Sequence, residues 1–424
     1  LQEPLTKKRL SATVYYLLTG LAFGALAMFP IGAMLGDWQR GGVFTPASLA
    51  EIHALILGFM LTVALGVMYQ MIPIAFQAPA VPRHVLYWHL PWHMVSVLFI
   101  TWGFILASWP WVGVGGLSLI CATGAFLGHI LRSFRQAKNR TIVHRHLLLP
   151  IVGLCLVLCI GVIQALAPSA AGPSLVHSHV IVGGYAFWGS LVMVLSYKLI
   201  PMFSLSHEYT VSLRRTMVLY TCGYACLLVS AWMAGLRATL VRDLGALGVS
   251  LGAAAFAWDL TQILRARKRR RLVRPVRHAL VASFQFTAAQ ILLSAALALH
   301  QDALVSSAAV LYALGGLVAL MLAYMQKIVP FLWFEYRFSR RPERKSAPSI
   351  DDMVPHRLTE TSFWIYLAGV MIAVVAPWLD TTLVPWQPFL CWSAGVLMGA
   401  GMLLMAVALR TVLTIGGPRP NDEF

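Results

Sequence analysis

The stretch HALILGFMLTVALGVMYQMIP, from His53 to Pro73, decides the fold. It contains no Asp, Glu, Lys or Arg, and it is long enough for a helix to cross the hydrocarbon layer of a bilayer, which takes about 20 apolar residues. Two further stretches resemble it: HSHVIVGGYAFWGSLVMVLSYKLIP from His177 to Pro201, and GGLVALMLAYMQKIVP from Gly315 to Pro330. Each contains glycine and closes on Ile-Pro or Ile-Val-Pro, and the first two place a tyrosine four residues before the proline, Tyr69 and Tyr197. They lie four predicted helices apart. The chain therefore divides into three groups of four, about 11–134, 146–264 and 279–412, and such internal repetition implies a pseudo-symmetric bundle.

Composition agrees with an all-α membrane protein. Of the 424 residues, 59% are hydrophobic and 11% charged, against roughly 25% charged in a soluble domain, and the mean hydropathy is +0.75. A soluble enzyme, a disordered chain and a disulfide-rich secreted scaffold are excluded. Hydrophobic runs predict about twelve transmembrane helices, near 11–35, 52–74, 86–108, 112–134, 146–167, 177–202, 214–236, 241–264, 279–300, 304–331, 361–380 and 386–412. The first run is long enough to span rather than act as a cleaved leader.

The net charge of +17 gathers in alternate connections. The segments 135–145, 265–277 (RARKRRRLVRPVR) and 337–345 (RFSRRPERK) are basic, as are Lys7, Lys8 and Arg9, whereas the intervening turns hold few cations. The positive-inside rule then places both termini in the cytoplasm of a multi-pass protein of a bacterial-type cytoplasmic membrane. The lipid bilayer accounts for the basic loops, and no nucleic-acid partner is expected. The segment 337–360 reads as a cytoplasmic loop.

Thirteen histidines stand in this apolar chain. An ionisable group inside a bilayer is costly and marks a functional site by default, and neutral imidazole is a common axial ligand of haem iron. His53 opens one predicted helix at the outer face, and His177 and His179 open another at the same face, so all three lie at similar depth. That suits a haem held between two helices by His53 and one of the other pair. Residues two apart on a helix point roughly 200° apart, so His177 and His179 do not share one metal. Gly58, Gly183 and Gly184 would let a flat macrocycle approach the backbone, or simply let helices pack. A second set, His84, His89, His93, His129, His144 and His146, lies toward the cytoplasm. His93 and His129 either bracket an inner haem or metal or belong to a histidine-rich rim. His300 is a further outer candidate, and His207, His278 and His356 read as loop or helix-end residues.

Other polar residues carry less. Arg40, Arg237 and Arg242 are outer arginines that suit haem propionates or solvent. Asp259 is expected to meet the adjacent basic run, and Gln285 and Gln290 to join helices. Cys155 with Cys159, and Cys222 with Cys226, share helix faces and read as structural rather than copper-binding. No CxxC occurs, so neither covalent haem nor a zinc ribbon is indicated.

The helix HSHVIVGGYAFWGSLVMVLSYKLIPMF resembles the H-x-H helix of subunit I of the haem-copper oxidases and nitric oxide reductases, and IHALILGFMLTVALGVMYQMIPI resembles their helix bearing the other low-spin haem histidine. The second also resembles the H-A-L-x-x-G helix of NnrS-type haem and copper proteins. The motif likeness covers about fifty residues; both relatives have twelve helices in a pseudo-threefold arrangement. The resemblance implies that His53 and His179 ligate a low-spin haem b and that His177 faces a neighbouring pore, where a second haem would sit. The chain also departs from the family. The family's H-x-H lies on its tenth helix and here on the sixth; Ser306, Ala308 and Val310 stand where the repeat would put ligands on the tenth; and no His-His pair exists for a copper centre.

Function is then expected in one of three classes. The first is a membrane b-type cytochrome of haem-copper oxidase-like fold, an oxidoreductase subunit without an oxygen-reducing copper centre. It would pass electrons between the quinone pool, or a membrane or periplasmic redox subunit, and an acceptor. The second is an NnrS-like protein handling haem, copper or nitric oxide. The third is a cofactor-free transporter.

Overall fold

The computed structural model describes residues 12–39, 44–268, 271–338, 347–379 and 386–416. Among these the protein is helical. We number the long helices α1 (Ala12–Met28), α2 (Pro46–Phe76), α3 (Arg83–Ile105), α4 (Trp109–Arg135), α5 (Ile142–Leu166), α6 (Pro173–Ser204), α7 (Leu213–Ser230), α8 (Gly235–Arg265), α9 (Arg274–Leu299), α10 (Asp302–Phe338), α11 (His356–Trp378) and α12 (Gln387–Val412). Nine of them (all but α1, α3 and α7) are long and apolar enough to cross a membrane. The expected first span, 11–35, is broken: α1 stops at Met28, and a short helix, Ile31–Gln39, restarts after Pro30, whose ring and missing N–H interrupt the ladder.

Sequence repetition reappears in the backbone. In α2, α6 and α10 an eight-residue π-helical segment interrupts the α-helix, at Ala54–Leu61, Val182–Gly189 and Leu311–Val318. Each is followed by an α-helical stretch containing the repeat proline, Pro73, Pro201 or Pro330. A widened turn releases a carbonyl from the i→i−4 ladder, and at the same repeat position that carbonyl takes a side-chain donor. The carbonyl of Leu57 accepts from Thr62 (3.2 Å) and from His93 (3.2 Å), that of Tyr185 from Ser190 (3.1 Å), and that of Leu314 from Tyr366 (2.9 Å).

Helix packing follows the same period. α1 packs on α2, α5 on α6 and α9 on α10; α3 packs on α4, α7 on α8 and α11 on α12; and α4·α5, α8·α9 and α12·α1 contacts close the circuit. The repeat helices lie innermost: the apolar windows of α2, α6 and α10 are 78%, 67% and 61% buried, against 33–44% in the other six spans. The outer helices turn leucine, valine and tryptophan outward, among them Leu98, Trp102, Leu117, Leu247, Trp258 and Leu403. An apolar exterior around a packed interior is what lipid as solvent requires.

Basic connections meet at one face. The amide of His207 donates to the Ala266 carbonyl and that of Asn139 to the Phe76 carbonyl, while Lys327 pairs with Asp351 and Arg337 donates to the Gly416 carbonyl. We call this the basic face. Lys7, Lys8, Arg9, Arg40 and most of the basic stretch 337–345 lie outside the described residues.

Asp259 is the buried carboxylate of the second group. Its expected partner was the basic run that follows it; instead it turns inward to Arg215 on α7 (2.9 Å), and Tyr197 (2.6 Å) and Thr216 (3.1 Å) donate to its second oxygen. The carboxylate is 2% exposed and Arg215 53%, so desolvation falls on Asp259 and is met by three donors. Asp259→Ala removes the carboxylate that Arg215, Tyr197 and Thr216 share and leaves the Tyr197 hydroxyl only Thr216 Oγ1 at 3.1 Å; a stability loss of about 2 kcal/mol is expected, read as a lower unfolding midpoint in detergent. Asp259→Asn keeps an acceptor for Tyr197 and is expected to cost less. The Gln290 side chain bonds its own helix, through the Phe286 carbonyl, while its backbone carbonyl accepts from Ser250 on α8 at 2.9 Å. The six cysteines are free thiols.

Candidate functional site

Pairing at the end opposite the basic face begins with two helix starts. Thr45 caps α2, its hydroxyl accepting from the Ser48 amide (3.2 Å), and Pro46 supplies a preset φ at the first turn. α6 starts at Pro173 with the same preset φ but without a side-chain cap, because Gly172 stands at the cap position. Both helices begin earlier than hydropathy places them, so His53 and His179 do not open their helices. Each lies about 10 Å in from its helix start, at 1.5 Å per residue, and equal depth is preserved.

The structure brings these two histidines together. Their ring centroids are 6.4 Å apart with planes inclined by 27°. With a metal–nitrogen bond of about 2 Å to each ring and about 1 Å from each nitrogen to its ring centre, two imidazoles sharing one metal have centroids about 6 Å apart. His53 Nδ1 donates to the Leu49 carbonyl, one turn back, at 2.7 Å. That bond sets the tautomer and leaves Nε2 with its lone pair, the usual arrangement for a ligating histidine. Phe104 lies against the His53 ring, 4.7 Å between centroids.

His179 rests on α5. A Cβ on Gly161 would meet its Cε1 at 2.9 Å, so the absence of a side chain there sets the ring's position. Its Nδ1 is buried with no hydrogen-bond partner. Of the glycines near the pair, Gly58 is covered by the ring of Phe23, at 2.3 Å from an ideal Cβ, and so serves packing. Gly184 has nothing within 4 Å and Gly183 faces Val157. Of the three, only Gly184 borders open space. Gly161→Val is expected to push the His179 ring off its seat while the helices stay folded. Near-native thermal stability with a displaced His179 ring-nitrogen resonance in ¹⁵N-histidine-labelled protein is the readout.

Other candidates fall elsewhere. His177 is exposed at the start of α6, and His300 is exposed at the end of α9, where it adopts φ 53 as a left-handed cap. His93 is fully buried on α3, its Nε2 against Thr62 (3.0 Å) and the Leu57 carbonyl. His129 is partly exposed on α4, within electrostatic reach of His89. His278, near the start of α9, is fully buried, stacked on Phe363 at 4.1 Å and bonded to Gln326 at 3.1 Å. Among the described residues no three His, Cys, Asp or Glu side chains cluster as a metal site. The pair at His53 and His179 is thus a two-ligand arrangement, which suits a macrocycle that brings its own four equatorial donors.

Two features escaped the sequence. Glu51 stands two residues before His53 with a buried, unpartnered Oε1; aligning Pro73 with Pro201 puts it at the position of His179, a signal the repeat contained. Tyr220, buried, and Tyr185 and Tyr312, half-buried, form a cluster with centroids 6.2 Å (Tyr185–Tyr220) and 5.9 Å (Tyr185–Tyr312) apart, and Tyr312 donates to the Gly184 carbonyl at 2.7 Å. At the basic face a cavity of about 240 Å³ is lined by Tyr197, Tyr209, Ser212 and apolar residues; burial pushes the Tyr209 phenol above its ordinary pKa. No family model matches the chain, and no curated protein matches it.

Proposed function

We propose that the chain is a membrane-integral b-type cytochrome: a twelve-helix, pseudo-threefold bundle of haem-copper oxidase-like arrangement in a bacterial-type cytoplasmic membrane, its termini and basic face cytoplasmic. His53 and His179 hold the iron of one haem b near the outer face. The bundle passes electrons between the quinone pool, or a partner redox subunit, and an acceptor. The observation that carries this reading is the pair itself, two histidines from different repeats, at equal depth, 6.4 Å apart.

The haem would supply the one-electron chemistry. The protein's part is to hold and insulate it. The Leu49 carbonyl fixes the His53 tautomer and raises its basicity. Gly161 seats the His179 ring, and Phe104 packs on the His53 face. Gly184, with nothing within 4 Å of its Cβ position, would leave space for a flat ring beside α6. No copper centre belongs to this reading, because the chain has no adjacent histidine pair.

Adding nitric oxide to the reduced protein separates this reading from an NnrS-like one. Six-coordinate iron with both histidines bound is expected to keep its absorption bands. A prompt band shift would mean an open axial position and a gas-handling protein instead.

A further inference from the structure

Three residues before the repeat proline stand Gln70 in α2, Lys198 in α6 and Lys327 in α10. The first and third are answered within the chain. Gln70 accepts from Thr13 at 2.9 Å, and Lys327 pairs with Asp351 from the segment after α10. Lys198 makes no ion pair among the described residues. The nearby acids of its own group do not serve it. Asp259 is shared by Arg215, Tyr197 and Thr216, and Glu208, in the connection after α6, is exposed and likewise without an ion pair. Lys198 is half-buried in a narrow slot between α2, α5 and α6, whose other walls are apolar, among them Met68, Met71, Phe76, Val143 and Leu147. A lysine near a membrane face relieves its burial by reaching toward water. That does not account for the cavity beside this one.

Val143 walls both the slot and the cavity of about 240 Å³ at the basic face, and Tyr197, next to Lys198 in the chain, lines the cavity, so the two spaces adjoin. Where the third group supplies Asp351 to its lysine, the second has a lysine and a void. The cavity's polar side chains are donors. Ser212 Oγ accepts from the Arg215 amide at 3.3 Å, which leaves its O–H free, and the Tyr209 hydroxyl has no partner among the described residues. No carboxylate lines the cavity. Donors beside an unanswered cation suit an anion. Ile142, on the rim, is 48% exposed and begins a lipid-facing stripe that climbs α5 through Leu148, Val152 and Leu156. An occupant with an anionic head and apolar chains meets both surfaces; a free anion meets only one.

We propose that this cleft between α5, α6 and α7 holds one phospholipid of the leaflet at the basic face by its anionic phosphate head. Lys198 is the counter-charge, Tyr209 and Ser212 are the donors, and the acyl chains lie along the α5 stripe. Basic pockets between membrane helices bind anionic heads in this way. The lipid supplies to the second group the negative charge that Asp351 supplies to the third. The site lies at the end of the bundle opposite His53 and His179 and does not rest on the haem.

Lipid titration tests it. The full-length protein in detergent is titrated with phosphatidylglycerol or with zwitterionic phosphatidylcholine, and bound lipid is read by native mass spectrometry. Phosphatidylglycerol is expected to bind at least about fivefold more tightly, and Lys198→Gln to abolish that preference. Val211→Trp, which fills the cavity at unchanged charge, should weaken phosphatidylglycerol by a similar factor. Arg357→Gln, which removes an exposed cation of α11 from the same face, should change binding by less than about twofold. Equal binding of the two lipids, equal losses in Lys198→Gln and Arg357→Gln, or full binding in Val211→Trp would overturn the site. Inorganic phosphate displacing the lipid at equal concentration would overturn the lipid as its occupant. Colourless protein that binds the lipid as expected would keep this site and reject the cytochrome; haem-loaded protein without the preference would do the reverse.

Discussion

In His53→Ala and in His179→Ala, the low-spin b-type absorbance that the proposed function requires is expected to fall by about tenfold or more. Both variants should lose it, because on that proposal the two rings act as a pair. Removing either would leave the iron one protein ligand short, and any remaining band should move to a high-spin position rather than fade in proportion. His177→Ala, two residues from His179 and exposed on the helix, is the matched control and should keep the spectrum. Loss of signal in His177→Ala with retention in His179→Ala would assign the iron to the wrong residue of the H-x-H motif. Neither ring is a major part of the core, since both residues are only partly buried by their neighbours, so folding should survive either change. Helix content by circular dichroism is the check.

The second large effect is on folding. Gly223 on α7 faces α8 so closely that an ideal Cβ would meet the Val249 amide nitrogen at 2.3 Å, the Gly248 carbonyl carbon at 2.6 Å and the Gly245 carbonyl oxygen at 2.9 Å. These are backbone atoms and cannot rotate away. Without a hydrophobic force between helices in lipid, this approach is what holds α7 to α8. Gly223→Leu must separate the helices, at an expected cost of at least about 3 kcal/mol. The measured outcome is failure to purify as a single species, or a sharply lower unfolding midpoint. Gly124→Leu is the counterpart. Nothing lies within 4 Å of its Cβ position and the residue is exposed, so it should be tolerated. Equal damage from both would show that the α7–α8 contact is not limiting.

The repeat was legible because it is written in residues with few alternatives. Proline near the end of α2 and α6 and eight residues short of the end of α10, with tyrosine four residues before it in the first two, marks the same repeat as the three π segments at matching positions. The depth of His53 and His179 was legible for the same reason. Their offset from the helix starts was not. The Thr45 cap with Pro46 starts α2, and Pro173 after Gly172 starts α6; both are single-residue signals that a hydropathy window averages away. The partner of Asp259 was misread because sequence proximity favoured the basic run after α8. In the bundle, the side chain points inward to α6 and α7, and only the fold brings Arg215, Thr216 and Tyr197 to it. His278 lies near the start of α9, within the loop-or-helix-end reading, but its burial was not legible, because packing against Phe363 from α11 makes it core. Glu51 and Lys198 needed the repeat to be aligned in space before their lack of partners carried meaning.

The most direct test of the central claim is a haem count on the wild-type protein, by pyridine haemochrome, together with a reduced-minus-oxidised spectrum. The account predicts a b-type haem, at least one per chain, with low-spin bands that appear on reduction. Colourless protein, purified folded from cells able to make haem, would contradict it and leave the paired histidines of α2 and α6 to another metal or to none.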